Sequence, residues 1–192
     1  MTDKEMKIER FRKENKCVEY GKTVFVGSSL MEMFPISRLL QEHGDDTIIY
    51  NRGVGGFIST ELLDVIDVCV LDLKPSRVFI NIGTNDLSWS SISIEQLMDN
   101  YDKIITTIEE HIPSVEIYLM AYYPVNPEAA SEEMKECLKI RTNEKINRAN
   151  EQVMDLAQRH HQKYIDINSN LKDELGRLKA EYTIEGIRAW QT

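Results

Sequence analysis

The chain alternates short β-branched or aromatic runs with longer segments of helical pattern. Five runs are strand-like: "TVFVG" (23–27), "TIIYNRG" (47–53), "RVFINIG" (77–83), "VEIYLMAYYP" (115–124) and "KYIDIN" (163–168). The segments between them place apolar residues near i, i+3, i+4 and i+7, as amphipathic helices do. Strands that alternate strictly with helices lie parallel and are joined by right-handed crossovers. We therefore predict one domain over residues 1–192, a three-layer α/β/α sandwich around a five-stranded parallel sheet.

Charge and composition narrow the classes of function. The 192 residues are 42% hydrophobic and 29% charged, which is typical of one globular domain with its own core. With 32 acidic and 23 basic residues the net charge is −9, which repels phosphate backbones and anionic lipid surfaces. No apolar run approaches the roughly 20 residues that span a bilayer, and the first 16 residues are charged throughout. We expect a cytoplasmic protein with no nucleic-acid partner and no membrane span.

The cysteines give no sign of a metal or a disulfide framework. Cys17, Cys69 and Cys137 are odd in number, far apart and without histidines at metal-ligand spacing. We interpret them as reduced thiols, and we expect no metal and no cofactor.

The loops after four of the strands bring polar residues to one edge of the predicted sheet. They begin "GSSL", "NRGVGGF", "GTNDLS" and "NSNLKDELG", and ligands of such sheets bind beyond the carboxyl ends of the strands. Taken singly, each loop has an ordinary explanation. Ser28 or Ser29 suits a helix N-cap, and Gly-Thr-Asn-Asp at 83–86 suits a turn. The glycines of the second loop fail the dinucleotide fingerprint, because Ile58 stands where its third glycine is required.

Taken together, the loops favour a different interpretation, a catalytic site. A serine hydroxyl, a glycine N–H and an asparagine amide at one sheet edge supply a nucleophile and donors for a developing oxyanion. The motifs are "FVGSSL", "NRGVGG" and "IGTND", with weaker matches in "AYYPVN", "RTNEKINRAN" and "YIDIN". On these motifs the chain resembles the SGNH (GDSL-type) ester hydrolases over residues from about 20 to 190, particularly the branch similar to platelet-activating-factor acetylhydrolases.

This resemblance implies a flavodoxin-like SGNH hydrolase fold and roles for three residues. Ser29 is the expected nucleophile, and its own N–H, the N–H of Gly56 and the amide of Asn85 are the expected oxyanion hole. The implied substrate is a small-molecule acyl ester. The family often has aspartate immediately before the nucleophile, where this chain has Ser28.

The chain departs from the family's last motif, D-x-x-H, which supplies the general base and the carboxylate that orients it. In "YTIEGIRAW" the matching residues are Glu185 and Arg188. Glutamate keeps the carboxylate, but arginine has five donors and no acceptor and takes no proton from Ser29. The four histidines are expected at the amino ends of the strands, roughly 17 to 20 Å from the site. They are His43, His111, His160 and His161.

The resemblance also implies a final helix beyond Thr192, which this sequence lacks. Without it one face of the sheet is expected to be partly bare, which favours a homodimer. The alternative cover is the N-terminal segment, with its apolar Met6, Ile8 and Phe11.

Several apolar residues near the strand ends have two interpretations, as the lining of an acyl site or as ordinary core, which is the commoner role. They are Met31, Met33, Phe34, Tyr122 and Tyr123.

Three hypotheses of function follow. The first is a serine ester hydrolase, impaired by the arginine at position 188. The second is a non-catalytic binding or scaffold protein on the same fold, in which Arg188 holds a carboxylate, phosphate or sulfate in the old cleft. The third is a flavodoxin-like nucleotide or flavin binder with Ser28 and Ser29 at a phosphate.

Overall fold

A parallel five-stranded sheet forms the centre of the computed structural model, which describes residues 1–183 and Gly186. The strands are β1 (Thr23–Gly27), β2 (Ile49–Gly53), β3 (Arg77–Asn81), β4 (Glu116–Met120) and β5 (Lys163–Ile165). Their order is β2-β1-β3-β4-β5, and every neighbouring pair is parallel. The predicted α/β fold is thus confirmed. Three strands end two to four residues before the predicted runs do, because those residues leave the sheet to form the loops of its carboxyl edge.

Helices fill the connections between the strands. In the described part of the chain they are α1 (Asp3–Glu14), α2 (Ser29–Glu32), α3 (Ile36–His43), α4 (Ser59–Asp64), α5 (Ile66–Cys69), α6 (Ile94–His111), α7 (Glu132–Ile140) and α8 (Asn143–Arg159). The long segment predicted between β4 and β5 is two helices. Thr142 divides them, because its side chain caps α8 by accepting a hydrogen bond from the Lys145 N–H at 3.2 Å.

One face of the sheet carries the main core. Alternate side chains of the three central strands are fully buried there beneath α4, α6 and α8; they are Val24, Val26, Val78, Ile80, Ile117 and Leu119. The two long helices present their apolar stripes to this face, including Tyr101 and Ile105 of α6 and Val153 of α8. Burial on this side fixes the register of the sheet and so the relative height of the strand ends.

The opposite face carries a row of aromatic rings. Phe25, Phe79 and Tyr118 are paired in register and only half-buried. Their ring centroids are 4.9 Å apart for Phe25 and Phe79, and 4.4 Å apart for Phe79 and Tyr118. Phe34, which follows α2, contacts the end of the row at 5.5 Å.

The N-terminal helix α1 packs on the core face and not on this aromatic row. Phe11 is 1% exposed, and the Arg52 guanidinium lies 4.6 Å from its ring. Arg52 pairs with Val26 in the sheet register, so both side chains point to the same face. The N-terminal segment, considered above as an alternative cover, therefore does not cover the aromatic row. The apolar side of α1 instead closes the core beside β2 and α5.

Among the residues that the structure describes, no helix combines the length and the apolar character that crossing a membrane requires.

Candidate active site

Ser29 stands at the sharp turn where β1 ends and α2 begins. Gly27 adopts a φ of +150°, and a Cβ on it would lie 2.0 Å from the Asn81 carbonyl oxygen, so only glycine fits this end of β1. Ser28 occupies the N-cap position, but its buried hydroxyl bonds to no described residue and caps nothing. Ser29 is the first residue of α2 and is half-buried.

The loop after β2 brings Gly56 to the same edge. Gly56 has a φ of +77°, in the left-handed region that glycine tolerates best. The preceding N–H, of Gly55, donates to Oε2 of Glu32 at 2.6 Å. The N–H of Gly56 donates to no acceptor among residues 1–183 and Gly186, and the same holds for the N–H of Ser29.

Asn85 supplies a side-chain amide from the loop after β3. Its Nδ2 donates to the Phe57 carbonyl oxygen at 2.8 Å. Because a carbonyl oxygen only accepts, this bond fixes which side of the amide carries the nitrogen. An amide nitrogen has two hydrogens, so Asn85 keeps a second donor after this bond is made.

Asp86 fastens the asparagine loop to the start of α4. Its buried carboxylate accepts hydrogen bonds from the Ser59 N–H at 3.1 Å and from the Ser59 hydroxyl at 2.5 Å. Asn100 of α6 donates to the same hydroxyl at 3.0 Å. Burial raises the pKa of Asp86, and the bonds from Ser59 offset part of that rise. These hydrogen bonds fix the loop that carries Asn85 relative to the glycine loop (residues 54–58), which ends where α4 begins.

A cavity of about 410 Å³ joins the three predicted groups, since Ser29, Gly56 and Asn85 all line it. The other residues on its wall are Leu30, Thr84, Ser88, Trp89, Met134, Cys137 and Arg141. The cavity thus lies beyond the carboxyl ends of β1, β2 and β3, where parallel α/β sheets hold their ligands.

Seven residues of this wall were not predicted as site residues from the sequence, and four of them also lie outside the predicted loop segments "GSSL", "NRGVGGF" and "GTNDLS". Trp89 is 61% exposed at the cavity, and α7 contributes Met134 and Cys137. Arg141 is 3% exposed and donates through Nη1 to the Thr84 carbonyl oxygen at 3.2 Å. The sequence did contain a signal for Arg141, because this residue is the first of the "RTNEKINRAN" motif. The residues of α7 carried no such signal, because their helical pattern alone does not indicate which loop the helix packs against.

None of the five apolar residues with two interpretations lines this cavity. Met31 and Tyr122 belong to the interior, and the Tyr122 hydroxyl donates to the Ile82 carbonyl oxygen at 2.7 Å. Phe34 packs on Phe25, while Met33 is 56% exposed.

The histidines stand away from the cavity, and none of the four is part of its lining. His43 and His111 end α3 and α6, and His160 follows α8. His160 is bonded through Nδ1 to Glu109 at 2.9 Å and through Nε2 to Asp102 at 3.1 Å. No imidazole of this chain therefore reaches Ser29 within one subunit.

Glu185 and Arg188 lie outside the described residues. Gly186 is described: its carbonyl oxygen accepts from the Asn126 N–H at 2.7 Å, and its N–H donates to the Thr183 hydroxyl at 2.9 Å. These bonds hold Gly186 beside the loop after β4.

Comparison with known proteins identifies the family of the chain. Residues 27–187 match the profile of the GDSL-like Lipase/Acylhydrolase family. The chain belongs to that family. The matched range includes Ser29, Gly56 and Asn85, and ester hydrolysis is the general chemistry of the family.

Solved structures of the same fold include members of this family. A protein from Streptococcus pneumonia, described as a candidate platelet activating factor, is 30% identical with a TM-score of 0.85; the alignment covers 97% of this chain and 85% of that one. A GDSL-like lipase from Bacteroides thetaiotaomicron is 19% identical with a TM-score of 0.78, covering 95% and 88%. An acetylxylan esterase from Geobacillus stearothermophilus is 16% identical with a TM-score of 0.68, covering 91% and 89%. No curated protein matches the chain.

Proposed function

We propose that this GDSL-family protein hydrolyses a small ester with a short acyl group, through Ser29 as nucleophile. The observation that supports this most directly is the shared cavity, because one hydroxyl and two of the three proposed oxyanion donors come from three separate loops and meet on its wall. The cavity volume of about 410 Å³ suits a small ligand. Leu30, Met134 and Trp89 add apolar surface for the acyl group.

The proposed reaction proceeds in two steps. The Ser29 oxygen attacks the ester carbonyl carbon, and the hydroxyl proton leaves to a base. The tetrahedral intermediate then expels the alcohol, which takes up a proton, and an acyl-serine remains. Water attacks the acyl-serine in the same manner, which releases the carboxylic acid and restores the serine hydroxyl.

The oxyanion is the charge that the site is arranged to hold. The N–H groups of Ser29 and Gly56 and the second Nδ2 hydrogen of Asn85 are the proposed donors. Donors fixed before the reaction stabilise this charge without a cost of reorganisation, and removing one donor in a serine protease lowers kcat by roughly 10²–10³.

No described side chain of the cavity wall is a candidate for the general base. Arg188 occupies the family's histidine position, and no described histidine lines the cavity. We therefore expect slow hydrolysis, in which hydroxide or water removes the proton of Ser29. An oxyanion hole and substrate binding alone still give roughly 10³–10⁴ over the uncatalysed reaction in serine proteases.

Hydrolysis of an activated acetate ester tests the proposal. We expect a rate above the protein-free background for the natural chain, and we expect Ser29→Ala to return that rate to background. Ser28→Ala is the matched control, since it removes the neighbouring hydroxyl, which bonds to no described residue. Its rate should equal that of the natural chain.

Equal rates for the natural chain and Ser29→Ala would contradict the proposal. That result would favour the second candidate, a binding protein on the same fold. The observation that favours this alternative is the buried guanidinium of Arg141 on the cavity wall, which suits a carboxylate ligand. Calorimetric titration with acetate, repeated on Arg141→Lys, would then measure the binding and its dependence on the guanidinium.

A further inference from the structure

Lys4 of α1 contacts the glycine loop of the cavity directly, and Lys7 of the same helix contacts it through Glu32. Lys4 Nζ donates to the Gly56 carbonyl oxygen at 2.9 Å and to both carboxylate oxygens of Glu61, at 2.7 and 2.8 Å. Lys7 Nζ lies 2.7 Å from Oε1 of Glu32. The other carboxylate oxygen of Glu32 accepts the Gly55 N–H, as described above.

These contacts hold the two peptide groups on either side of the proposed oxyanion donor. The N–H of Gly56 belongs to the peptide that joins Gly55 to Gly56. Glu32 holds the peptide before it, through the N–H of Gly55, and Lys4 holds the peptide after it, through the carbonyl oxygen of Gly56. Two adjacent glycines leave the backbone dihedrals soft, so the direction of this N–H depends on such external contacts.

The helix that carries the lysines is itself firmly anchored. Ile8 and Phe11 are buried in the core. At its N-terminus, Thr2 and Glu5 form a capping box in which each side chain bonds to the other residue's N–H. Lys4 and Lys7 are three residues apart and so lie on one side of the helix.

The charged groups of this contact are partly shielded from water. Lys7 is 19% exposed in its side chain and Glu32 is 29% exposed. Hydrogen bonds to Asp3 and Glu32 raise the pKa of Lys7, so its ammonium group stays charged across the range in which esterases are assayed. Partial burial makes such a pair more persistent than an exposed one.

We propose that Lys4 and Lys7 are positioning residues, through which α1 aims the Gly56 N–H into the cavity. This inference rests on the proposed function for the role of that N–H. It makes the N-terminal helix a working part of the active site, although no residue of α1 lines the cavity.

Kinetics and NMR together test the inference on the full-length protein. We expect Lys4→Met and Lys7→Met to lower kcat for the acetate ester about tenfold each with little change in KM. The reason is that the Gly56 N–H would no longer point at the oxyanion, which develops in the transition state and is absent from the bound substrate. Lys4→Arg keeps a charged donor and should recover most of the rate. The control is Lys13→Met, an exposed lysine of the same helix with no ion pair to a described residue, and it should behave as the natural chain.

The NMR readout is the backbone order parameter of the N–H groups of Gly55 and Gly56. In both lysine-to-methionine variants it should fall from about 0.85, typical of rigid backbone, towards 0.6. The midpoint of unfolding of these variants should equal that of the Lys13→Met control. Unchanged order parameters in both variants would overturn the inference. If the natural chain and Ser29→Ala hydrolyse the ester equally, the proposed function has failed, and the order parameters alone still decide whether α1 positions the loop.

Discussion

The two edges of the sheet carry different polar groups: the proposed acyl-transfer site lies at the carboxyl edge, and an imidazole bonded to two carboxylates lies at the amino edge. At the carboxyl edge, Ser29, Gly56 and Asn85 line one cavity, and the backbone N–H groups of Ser29 and Gly56 donate to no described residue. At the amino edge, His160 sits between Asp102 and Glu109, an imidazole with carboxylates. Strands of five residues at about 3.3 Å per residue separate the two edges by roughly 17 Å.

The two edges differ in whether their hydrogen-bonding groups already have partners within the fold. Both ring nitrogens of His160 are engaged by carboxylates, so this imidazole is a structural element that ties α6 to the end of α8. Two of the three proposed oxyanion donors at the carboxyl edge are backbone N–H groups, which are present whatever side chain the residue carries. The proposed oxyanion hole depends on three loops, whereas a general base is a single side chain, so the absence of a base does not by itself remove the proposed hole.

Placing an imidazole at the family's histidine position in the sequence is the strongest test of this contrast. We expect Arg188→His to raise the rate of ester hydrolysis about 10²-fold, the lower end of what a positioned general base contributes. Arg188→Gln is the matched control, since it removes the same charge without adding a base. An equal gain in both variants would show that the guanidinium itself suppresses the reaction.

The pH profile of Arg188→His has a defined sign. Only neutral imidazole accepts a proton, so the gain should be absent well below pH 6.5 and complete well above it. The natural chain should instead show a rate that rises steadily with pH, because hydroxide serves as its base. A steady rise in the histidine variant too would mean that the new imidazole takes no part.

The sequence predicted the fold and the loops of the site because both depend on local patterns. Alternation of strands and helices determines a parallel sheet, and a parallel sheet brings the loops after its strands to one edge. That reasoning placed Ser29, Gly56 and Asn85 on a common edge, and the structure places all three on one cavity wall.

Tertiary packing accounts for what the sequence did not predict. The apolar stripe of α1 was consistent with either face of the sheet, and only the contact of Phe11 with Arg52 settles the choice. Lys4 and Lys7 resembled ordinary surface charges, since the partners that connect them to the site, Glu61 and Glu32, are 57 and 25 residues away in the chain. Arg141 reaches the site because α7 packs against the turn at Asp86–Ser88, which no local pattern encodes.

His160→Gln tests the structural role of the amino edge. The side chain of His160 is 14% exposed, and the change weakens its bonds to Asp102 and Glu109. We expect the free energy of unfolding to fall by about 1 kcal/mol, with the esterase rate unchanged. Chemical denaturation measures the first and the acetate assay the second, with exposed His161→Gln as the control. A lost esterase rate at unchanged stability would place this imidazole in the reaction and contradict the contrast.

The smallest expected effect is a pH dependence of the free energy of unfolding, which arises from Asp86 near the carboxyl edge of the sheet. Burial raises the pKa of its carboxyl above the ordinary value of 3.8, so the folded chain keeps this proton to a higher pH than the unfolded chain does. A raised carboxyl pKa contributes stability that is fully present below about pH 3.8 and is lost as the pH rises through the folded value. Asp86→Asn removes this contribution.

The free energy of unfolding of the natural chain, relative to that of Asp86→Asn, should therefore decline as the pH rises from about 3.8 and then level off. Urea denaturation at a series of pH values measures it, with exposed Asp46→Asn as the control for an ordinary carboxylate. A difference that grows with pH would mean that the hydrogen bonds from Ser59 outweigh burial, and that the fold prefers Asp86 ionised. In that case the asparagine loop would be held by a charge, and not by a carboxyl group that the fold stabilises better when it is protonated.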